Sequence, residues 1–583
     1  MHGREFFPIA WFGCLAGLTV FAAVIKPLRA FGQQTGTSAV VVVSDEPPED
    51  DGGNFPYFLD PLLNATGQAV FSGYRVESGF GLPPLDDRLL IGDGIGPLVE
   101  IARSGQTAPL GGEYLSFDVH SFNEKGRVAF EATLSPDGMS GLFVAGGVDS
   151  ASQIVREGDA VPGGEGVFDQ LDLADVSDDD RMSFTASIDS GEQRPPKSVV
   201  VRDLNGSLRT VLREGDPAPE GSGICHGVFL PSLNNNGQAG FAVRIEVAGE
   251  FETGYYRDDG PGTLIRVART GDEIPDGTGK LSTGISSAQI NSAGQLVISA
   301  NVIGMPPLGD GQGLFVADGM KPLVTILREG QDAPDGNGRF AAFGRPSIND
   351  SGQVFFFADL DGTRGGVSDD VGIFRGDGSG PVTQIARRGQ PLPDGGGTFL
   401  FPDVRSSSAG VLNNGAGQVV FLASLSGTPL GDDDDAGIYF FDEAAGLIKI
   451  AREGDALLGS TIAELGLKRV QSNLRHATAL NDAGQVAYRF VLADGNEGIA
   501  IWTPPGYESG EPREVEITVG EMGSAVLDWK APDSIQQSVE TSESLTGPWA
   551  PSLASPVLLE PGSWQWQELR SPRPAQRYFR IRW

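Results

Sequence analysis

Ile450-Ala451-Arg452-Glu453-Gly454-Asp455 and Asn481-Asp482-Ala483-Gly484-Gln485-Val486-Ala487-Tyr488 are two phrases of one rhythm that runs down the whole chain. The first recurs at 101–106, 154–159, 211–216, 267–272, 326–331 and 385–390. Proline usually follows three residues later, as at Pro109, Pro162, Pro219, Pro275, Pro334 and Pro393. The second recurs at 64–71, 123–130, 234–241, 291–298, 349–356 and 414–421. Self-similarity at a fixed period marks a repeat architecture and takes precedence over any single residue.

Two further copies are degenerate. At 177–184 Ser177 stands in the asparagine position and Asp180 in the glycine position. At the front, Val40 lies eight residues before Pro48, as Ile101 lies before Pro109, with Asp45 on the aspartate position. Residues 39–503 therefore divide into eight units of about 58 residues, within the range of propeller repeats. Each unit reads as four strands. Asn349-Asp350-Ser351-Gly352 has the residues of a type I turn. The run at 354–357 after it is aromatic and β-branched, as strands are. A Gly-Ile-Phe or Gly-Leu-Phe strand follows (372–374, 313–315), then the strand ending in Arg-Glu-Gly-Asp, whose glycine allows positive φ. A short strand such as 227–233 precedes each asparagine. The fold predicted is all-β: an eight-bladed β-propeller closed by an N-terminal strand, with 40–43 completing the blade that ends at 498–502. A small C-terminal β-sandwich follows.

The remaining segments bracket this domain. Residues 1–32 read as a signal peptide or N-terminal anchor: Arg4 precedes an apolar run at 6–25, and Ala30-Phe31-Gly32 offers a cleavage site. Residues 504–512 form a Pro/Gly/Glu linker, and 513–583 show short alternating strands of a β-sandwich module. The net charge of −35 opposes nucleic-acid binding and docking on anionic lipid. Of the two cysteines, Cys14 lies in the leader, so Cys225 is alone and no intrachain disulfide framework forms. Cys225 and His226 are adjacent, so on a strand they point to opposite faces and Cys225 reads as a buried hydrophobe.

The second phrase and its siblings resemble the bacterial choice-of-anchor tandem repeat NxxGxxAF-containing proteins over about 39–503. That resemblance implies an exported protein held at the surface by a varied C-terminal signal, with no assigned activity. Here no hydrophobic C-terminal span is present. Instead, Val539-Glu540-Thr541-Ser542-Glu543-Ser544-Leu545-Thr546-Gly547-Pro548-Trp549 and Tyr578-Phe579-Arg580-Ile581-Arg582 look like the fibronectin-type-III-like trailing modules of secreted bacterial proteins.

Motifs that occur eight times read as scaffold. The repeated Arg103, Arg156, Arg213, Arg269, Arg328, Arg387 and Arg452 are expected to pair with a carboxylate or carbonyl of the neighbouring blade. Function belongs where the units vary. The connections before the Gly-Ile-Phe strand carry Asp86, Asp87, Asp310, Asp369, Asp370, Asp432, Asp433, Asp434 and Asp435, an acidic rim on one face. These loops, and Asp178-Asp179-Asp180, read first as solvated acids and second as Ca²⁺ sites; no spaced Asp-x-Asp-x-Asp-Gly loop is present, and no other metal or cofactor is expected. Trp564 and Trp566 share one face of their strand, for a core or for stacking on a sugar ring. His120 and His476 precede the Asn turns of their units and read as packing residues; no nucleophile or metal triad is recognisable. The function expected is an exported, monomeric, non-enzymatic propeller that binds a protein or glycan partner at the cell surface or outside the cell. The alternatives are a propeller enzyme acting on extracellular polysaccharide through a central carboxylate pair, and carbohydrate binding by the C-terminal module.

Overall fold

The structure is a computed structural model. It describes residues 36–505 apart from 45–56, 76–85, 97, 147–148, 165, 192–193, 230, 276, 285–287, 305–308, 402–410 and 469–473, and outside that range the backbone of strands only. The chain forms two compact units. The larger comprises Val40–Asp93 and Leu98–Trp502 and is an eight-bladed β-propeller. Among the described residues there is no α-helix, only the 3₁₀ turns Gly366–Ser368 and Gly431–Asp433, and no helix is long and apolar enough to cross a membrane.

The sixth blade shows the plan. Arg339–Phe343 and Ser347–Ile348 share the inner position; Val354–Asp361, Val371–Gly376 and Thr383–Arg387 follow outward, each antiparallel to the last. The eighth sheet has the order Thr37–Val43, Glu497–Thr503, Val486–Leu492, Ser460–Gly466, Ala456–Leu457. The Ser44 N–H donates to the Glu497 carbonyl at 2.8 Å. Blade eight also packs on blade one, with Ala487, Ile499 and Ile501 against Phe58, Leu63 and Phe71.

The Ala-Phe end of the second phrase supplies the core. Phe71, Phe130, Phe184, Phe241, Ile298, Phe356, Phe421 and Tyr488 are all buried. In blade six the Phe356 ring stacks on Phe374 at 6.0 Å, and in blade seven Phe421 stacks on Tyr439 at 6.1 Å. The glycine of Gly-Ile-Phe follows from this stacking: a Cβ on Gly372 would lie 2.9 Å from the Phe374 ring, which folds back over it. Each such aromatic contributes about 1.5–3 kcal/mol by leaving water.

The asparagine of the second phrase is used at both ends of its amide. Asn481 Oδ1 accepts the N–H groups of Ala483 (3.1 Å) and Gln485 (2.9 Å), which shapes its own turn. Asn481 Nδ2 donates to the carbonyl of Asn64 in blade one at 3.0 Å. The same step runs from Asn123 to Ser177, Asn234 to Asn291, Asn291 to Asn349, Asn349 to Asn414 and Asn414 to Asn481, at 2.8–3.2 Å. Ser177 has no amide to offer, which explains why the third unit looks degenerate. In that unit Asp180 takes the left-handed φ of 66° that glycines hold in the sibling turns, such as Gly237 at 74°.

The first phrase closes the other end of the blade. Asp455 Oδ2 accepts the Arg452 N–H at 2.9 Å, and Gln331 Oε1 accepts that of Arg328 at 2.7 Å. A side-chain carbonyl-type oxygen is all the position needs, so Asp and Gln interchange there. Arg156, Arg269, Arg328, Arg387 and Arg452 meet carboxylates and carbonyls, but those of their own blade rather than the adjacent one. Arg387 donates to Asp335 and to the Asn337 carbonyl in the loop entering its own blade, and to the Asp369 carbonyl between that blade's second and third strands. Arg452 repeats this with Gly396 and Asp434. The entering loop folds back along its own sheet, so the fork spans two loops of one unit.

In the smaller unit the strands Arg513–Val519, Ala525–Lys530, Ser563–Gln567 and Val557–Glu560 form one sheet in that order. A second sheet runs Thr19–Ala22, Phe6–Phe12, Arg577–Arg582, Ser538–Ser542, Ala550–Pro551. The side chains here, those of Trp564 and Trp566 and of the N-terminal apolar run included, lie outside the described residues.

Asn481→Asp replaces the blade-eight donor with a carboxylate facing the Asn64 carbonyl. An unmatched buried polar group costs about 1–3 kcal/mol, more when charged. The expected outcome is a loss of about 2–3 kcal/mol in chemical denaturation; an unchanged unfolding midpoint would show that the inter-blade donor is dispensable.

Candidate functional site

The Asn turns come from the innermost strands, so they crowd around the axis at one end of the propeller. There they surround a cavity of about 140 Å³ lined by residues of six blades, among them Glu124, Asn235, Asn349, Asp350, Asn414, Arg475, His476 and Asp482. The residue after each asparagine points along the circle. Glu124 accepts the Ala65 N–H, Asp178 the Glu124 N–H at 3.0 Å, and Asn235 the Asp178 N–H at 3.2 Å. Asp350 accepts from Ser292 at 2.8 Å and Asp482 from Gly415 at 2.7 Å. Three carboxylates, Asp482, Glu124 and Asp178, thus fall on the half-circle formed by blades eight, one, two and three. Among the described residues no lysine or arginine forms an ion pair with any of the three. Burial pushes the Glu124 carboxyl up, helped by Asp482 and Asp178 and opposed by the Ala65 N–H and His476.

The opposite half carries a cation. Arg475 donates to Asp350 Oδ1 at 2.6 Å, Ser292 Oγ at 3.1 Å and the Ile290 carbonyl at 3.2 Å. Burial raises the Asp350 carboxyl, but Arg475 and the Ser292 hydrogen bonds together outweigh it and leave the group below its ordinary value. Arg475 and His476 belong to blade eight, yet their segment reaches across the axis. Asp175 of blade three, fully buried, accepts N–H groups from Arg475 (2.9 Å), His476 (3.3 Å) and Leu233 (3.0 Å). The His476 Nδ1 lies 2.9 Å from the same carboxylate and Nε2 3.0 Å from Asn235 Oδ1. The His476 carbonyl accepts the Phe122 N–H of blade two at 2.8 Å. A buried carboxylate is tolerable only with such matched donors. The segment is a plug pinned to blades two, three, four, five and six.

Sequence reasoning missed this plug. Its one signal is spacing: 26 residues separate Asp455 from Asn481, against 18 from Asp216 to Asn234.

The acidic loops read from sequence lie at the other end of the propeller, because the connection from second to third strand leaves the sheet opposite the Asn turn. They are held by groups of their own blades, except that Asp87 of blade one also reaches blade two. Asp87 is buried and accepts from Ser72 Oγ (2.7 Å) and the Phe117 N–H (3.0 Å); the Asp86 side chain lies outside the described residues. Asp310 accepts the Gly304 N–H at 2.8 Å and Asp369 the Asn337 amide at 2.8 Å. Asp370 pairs with Arg388 at 2.6 Å, and Asp434 with Arg452 at 2.8 Å. Asp432 and Asp433 are exposed. In blade seven Glu453 replaces the arginine of blade six, so Asp435 faces a second carboxyl. Burial, with the hydrogen bond and charge of Asp435 adding to it, pushes Glu453 up to about 7. Among the described residues no three His, Cys, Asp or Glu side chains are placed to hold a metal ion. In blade three Asp179 pairs with Arg181, and Asp180 with Arg127. Cys225 is buried, and burial pushes its thiol up to about 12; His226 faces outward and meets Glu246 at 2.8 Å.

Residues 30–283 and 275–504 match the model of a family of unknown function, DUF7453. No curated protein matches. Among solved structures the chain is similar to dipeptidyl peptidase 4 of Porphyromonas gingivalis, at 10% identity over 74% of this chain and 65% of that one, with a TM-score of 0.31. It is also similar to prolyl oligopeptidase B from Galerina marginata, at 11% identity over 71% and 55%, with a TM-score of 0.32. A third is the polysaccharide lyase PL25, an ulvan lyase, at 12% identity over 71% and 95%, with a TM-score of 0.27. The chain thus spans less than two thirds of the length of either peptidase. Likenesses this distant carry nothing about activity.

Glu453 gives a pH dependence of defined sign. Its folded value of about 7 lies above the ordinary 4.5, so the native state binds the extra proton between those values. The stability it contributes is present below pH 4.5 and is lost as pH rises through 7. Relative to Glu453→Gln, the wild-type melting temperature is expected to fall across this window; parallel profiles for the two proteins would contradict the assignment.

Proposed function

The chain belongs to the DUF7453 family, and we propose that it is an exported, non-enzymatic binding propeller whose Asn-turn face captures a cationic group of a partner protein. The observation that carries this reading is the half-circle of Asp482, Glu124 and Asp178, of which Glu124 and Asp482 line the cup together with Arg475 and His476 of the plug. Their second oxygens remain for a ligand, and the desolvation felt by Glu124 is relieved by an incoming lysine, arginine or amino terminus. A net charge of −35 steers such a partner in. In this reading residues 1–32 direct export, and strand Thr37–Val43 shuts the ring beside Glu497–Thr503. The trailing residues 513–583 form a fibronectin-type-III-like sandwich, and the protein works as a monomer at the surface or outside the cell, as the choice-of-anchor resemblance implies.

A second reading, an enzyme acting on extracellular polysaccharide, is favoured by Asp435 and Glu453. A carboxyl pushed up to about 7 by burial beside a second carboxyl is an acid–base arrangement. The pair sits in blade seven, at the end away from the cup. Sugar stacking by Trp564 and Trp566 rests on their shared strand face alone.

Titration calorimetry with tetralysine at low salt tests the cup. Glu124→Gln combined with Asp482→Asn keeps the acceptors for the neighbouring turns and is expected to weaken binding at least about tenfold, or 1.4 kcal/mol. Asp432→Asn combined with Asp433→Asn removes as much charge from the other end and should leave affinity unchanged. Equal losses from both pairs would reduce the effect to overall charge and end the proposal.

A further inference from the structure

His120 lies on the innermost strand of blade two, two residues before the Phe122 that holds the plug. Its side chain is 1% exposed. The Nδ1 atom accepts the N–H of Ala174 in blade three at 3.1 Å. A ring nitrogen that accepts in this way carries no proton, so in the neutral imidazole the proton resides on Nε2. Burial keeps the ring neutral, bringing it down to about 4 despite Asp118 and with Lys468 acting in the same sense.

The Nε2–H meets Glu131 Oε2 at 3.7 Å and Asp118 Oδ2 at 3.9 Å, both beyond hydrogen-bonding range. The Nε2–H of this buried side chain therefore lies near two carboxylates and is bonded to neither. The group that completes this set must accept from Nε2–H and donate to a carboxylate. An ammonium cannot accept, and a metal ion would have to displace the Nε2 proton while Nδ1 stays engaged with Ala174. A hydroxyl does both. Beside His120 on blade three, Asp172 Oδ2 accepts from Thr185 Oγ1 (2.9 Å) and Lys197 Nζ (2.8 Å). Asp118 and Glu131 thus offer acceptors beside the imidazole, and Asp118, 65% exposed, leads from it to solvent.

We propose that His120, Glu131 and Asp118 form a binding site between blades two and three for a neutral polyhydroxylated ligand, a sugar ring whose adjacent hydroxyls bridge the imidazole N–H and the two carboxylates. The site uses no residue of the cation-binding cup and stands or falls independently of it.

The chain has only four histidines, so ¹³Cε1-histidine labelling resolves His120 from His226 and His476 in the full-length protein. Glucose, galactose, mannose and lactose are titrated to about 200 mM, a range that reveals millimolar affinity. The expected result is a saturable shift of the His120 signal with at least one sugar, with His226 and His476 unmoved. Asp118→Asn, a change at an exposed side chain, should weaken that binding at least fivefold, and Glu131→Gln should abolish it. Should no sugar move His120, the space holds water only and the proposal fails. It fails equally if methylammonium chloride competes for the site, or if both variants bind sugar as the wild type does.

Discussion

One side-chain amide organises this protein. Asparagine at the start of seven inner turns bends its own backbone through Oδ1, and in six of them, all but Asn64, it reaches the next blade through Nδ2 at 2.8 to 3.2 Å. No other residue of that size has both an acceptor for local N–H groups and a donor for a distant carbonyl. Aspartate could shape the turn but not make the link; serine, at Ser177, makes neither in full. Since the link goes from carbonyl to carbonyl around the axis, it fixes where each inner strand stands relative to its neighbours, and so fixes the width of the central cavity.

The other recurring groups depend on that placement. With the inner strands held, the residues after each asparagine necessarily form a second circle, and their chemistry is free to vary from Ala65 to Glu124 to Asp350. The scaffold and the variable surface therefore occupy adjacent positions in sequence. The arginine phrase plays no part in this circle. It ties the far end of the sheet to its own loops, and blades six and seven differ in the residue after the arginine: Arg388 pairs with Asp370, whereas the usual glutamate, Glu453, leaves Asp435 facing a like group.

Much of the scaffold was legible in the residues. The eight copies, the turn glycines, the left-handed place of Asp180 and the buried, outward-inward split of Cys225 and His226 all follow from local chemistry at fixed spacing. What crosses between units was not. Nothing in a linear string says that Nδ2 of Asn414 meets the carbonyl of Asn481, or that Arg387 turns back to its own loop. The acidic loops were found, but their pairing with Arg388, Arg452 and backbone N–H groups is a tertiary fact that removes most of their freedom. Sequence alone does not single out Glu124 and Asp482, and Asp178 reads there only as a solvated acid or Ca²⁺ ligand, because each looks like an ordinary polar turn residue until the circle brings them together.

Blade three deserves a last consideration. It has lost its asparagine, and two residues earlier it carries Asp175, whose oxygens take the Leu233 N–H of blade four and the crossing segment of blade eight. The copy that departs from its siblings is thus the one that receives the visitor. Eight faithful copies would offer eight equivalent berths and give a single crossing segment no preferred heading. By eroding one copy, the chain breaks its own rotational symmetry and gives an otherwise uniform wheel a front and a back.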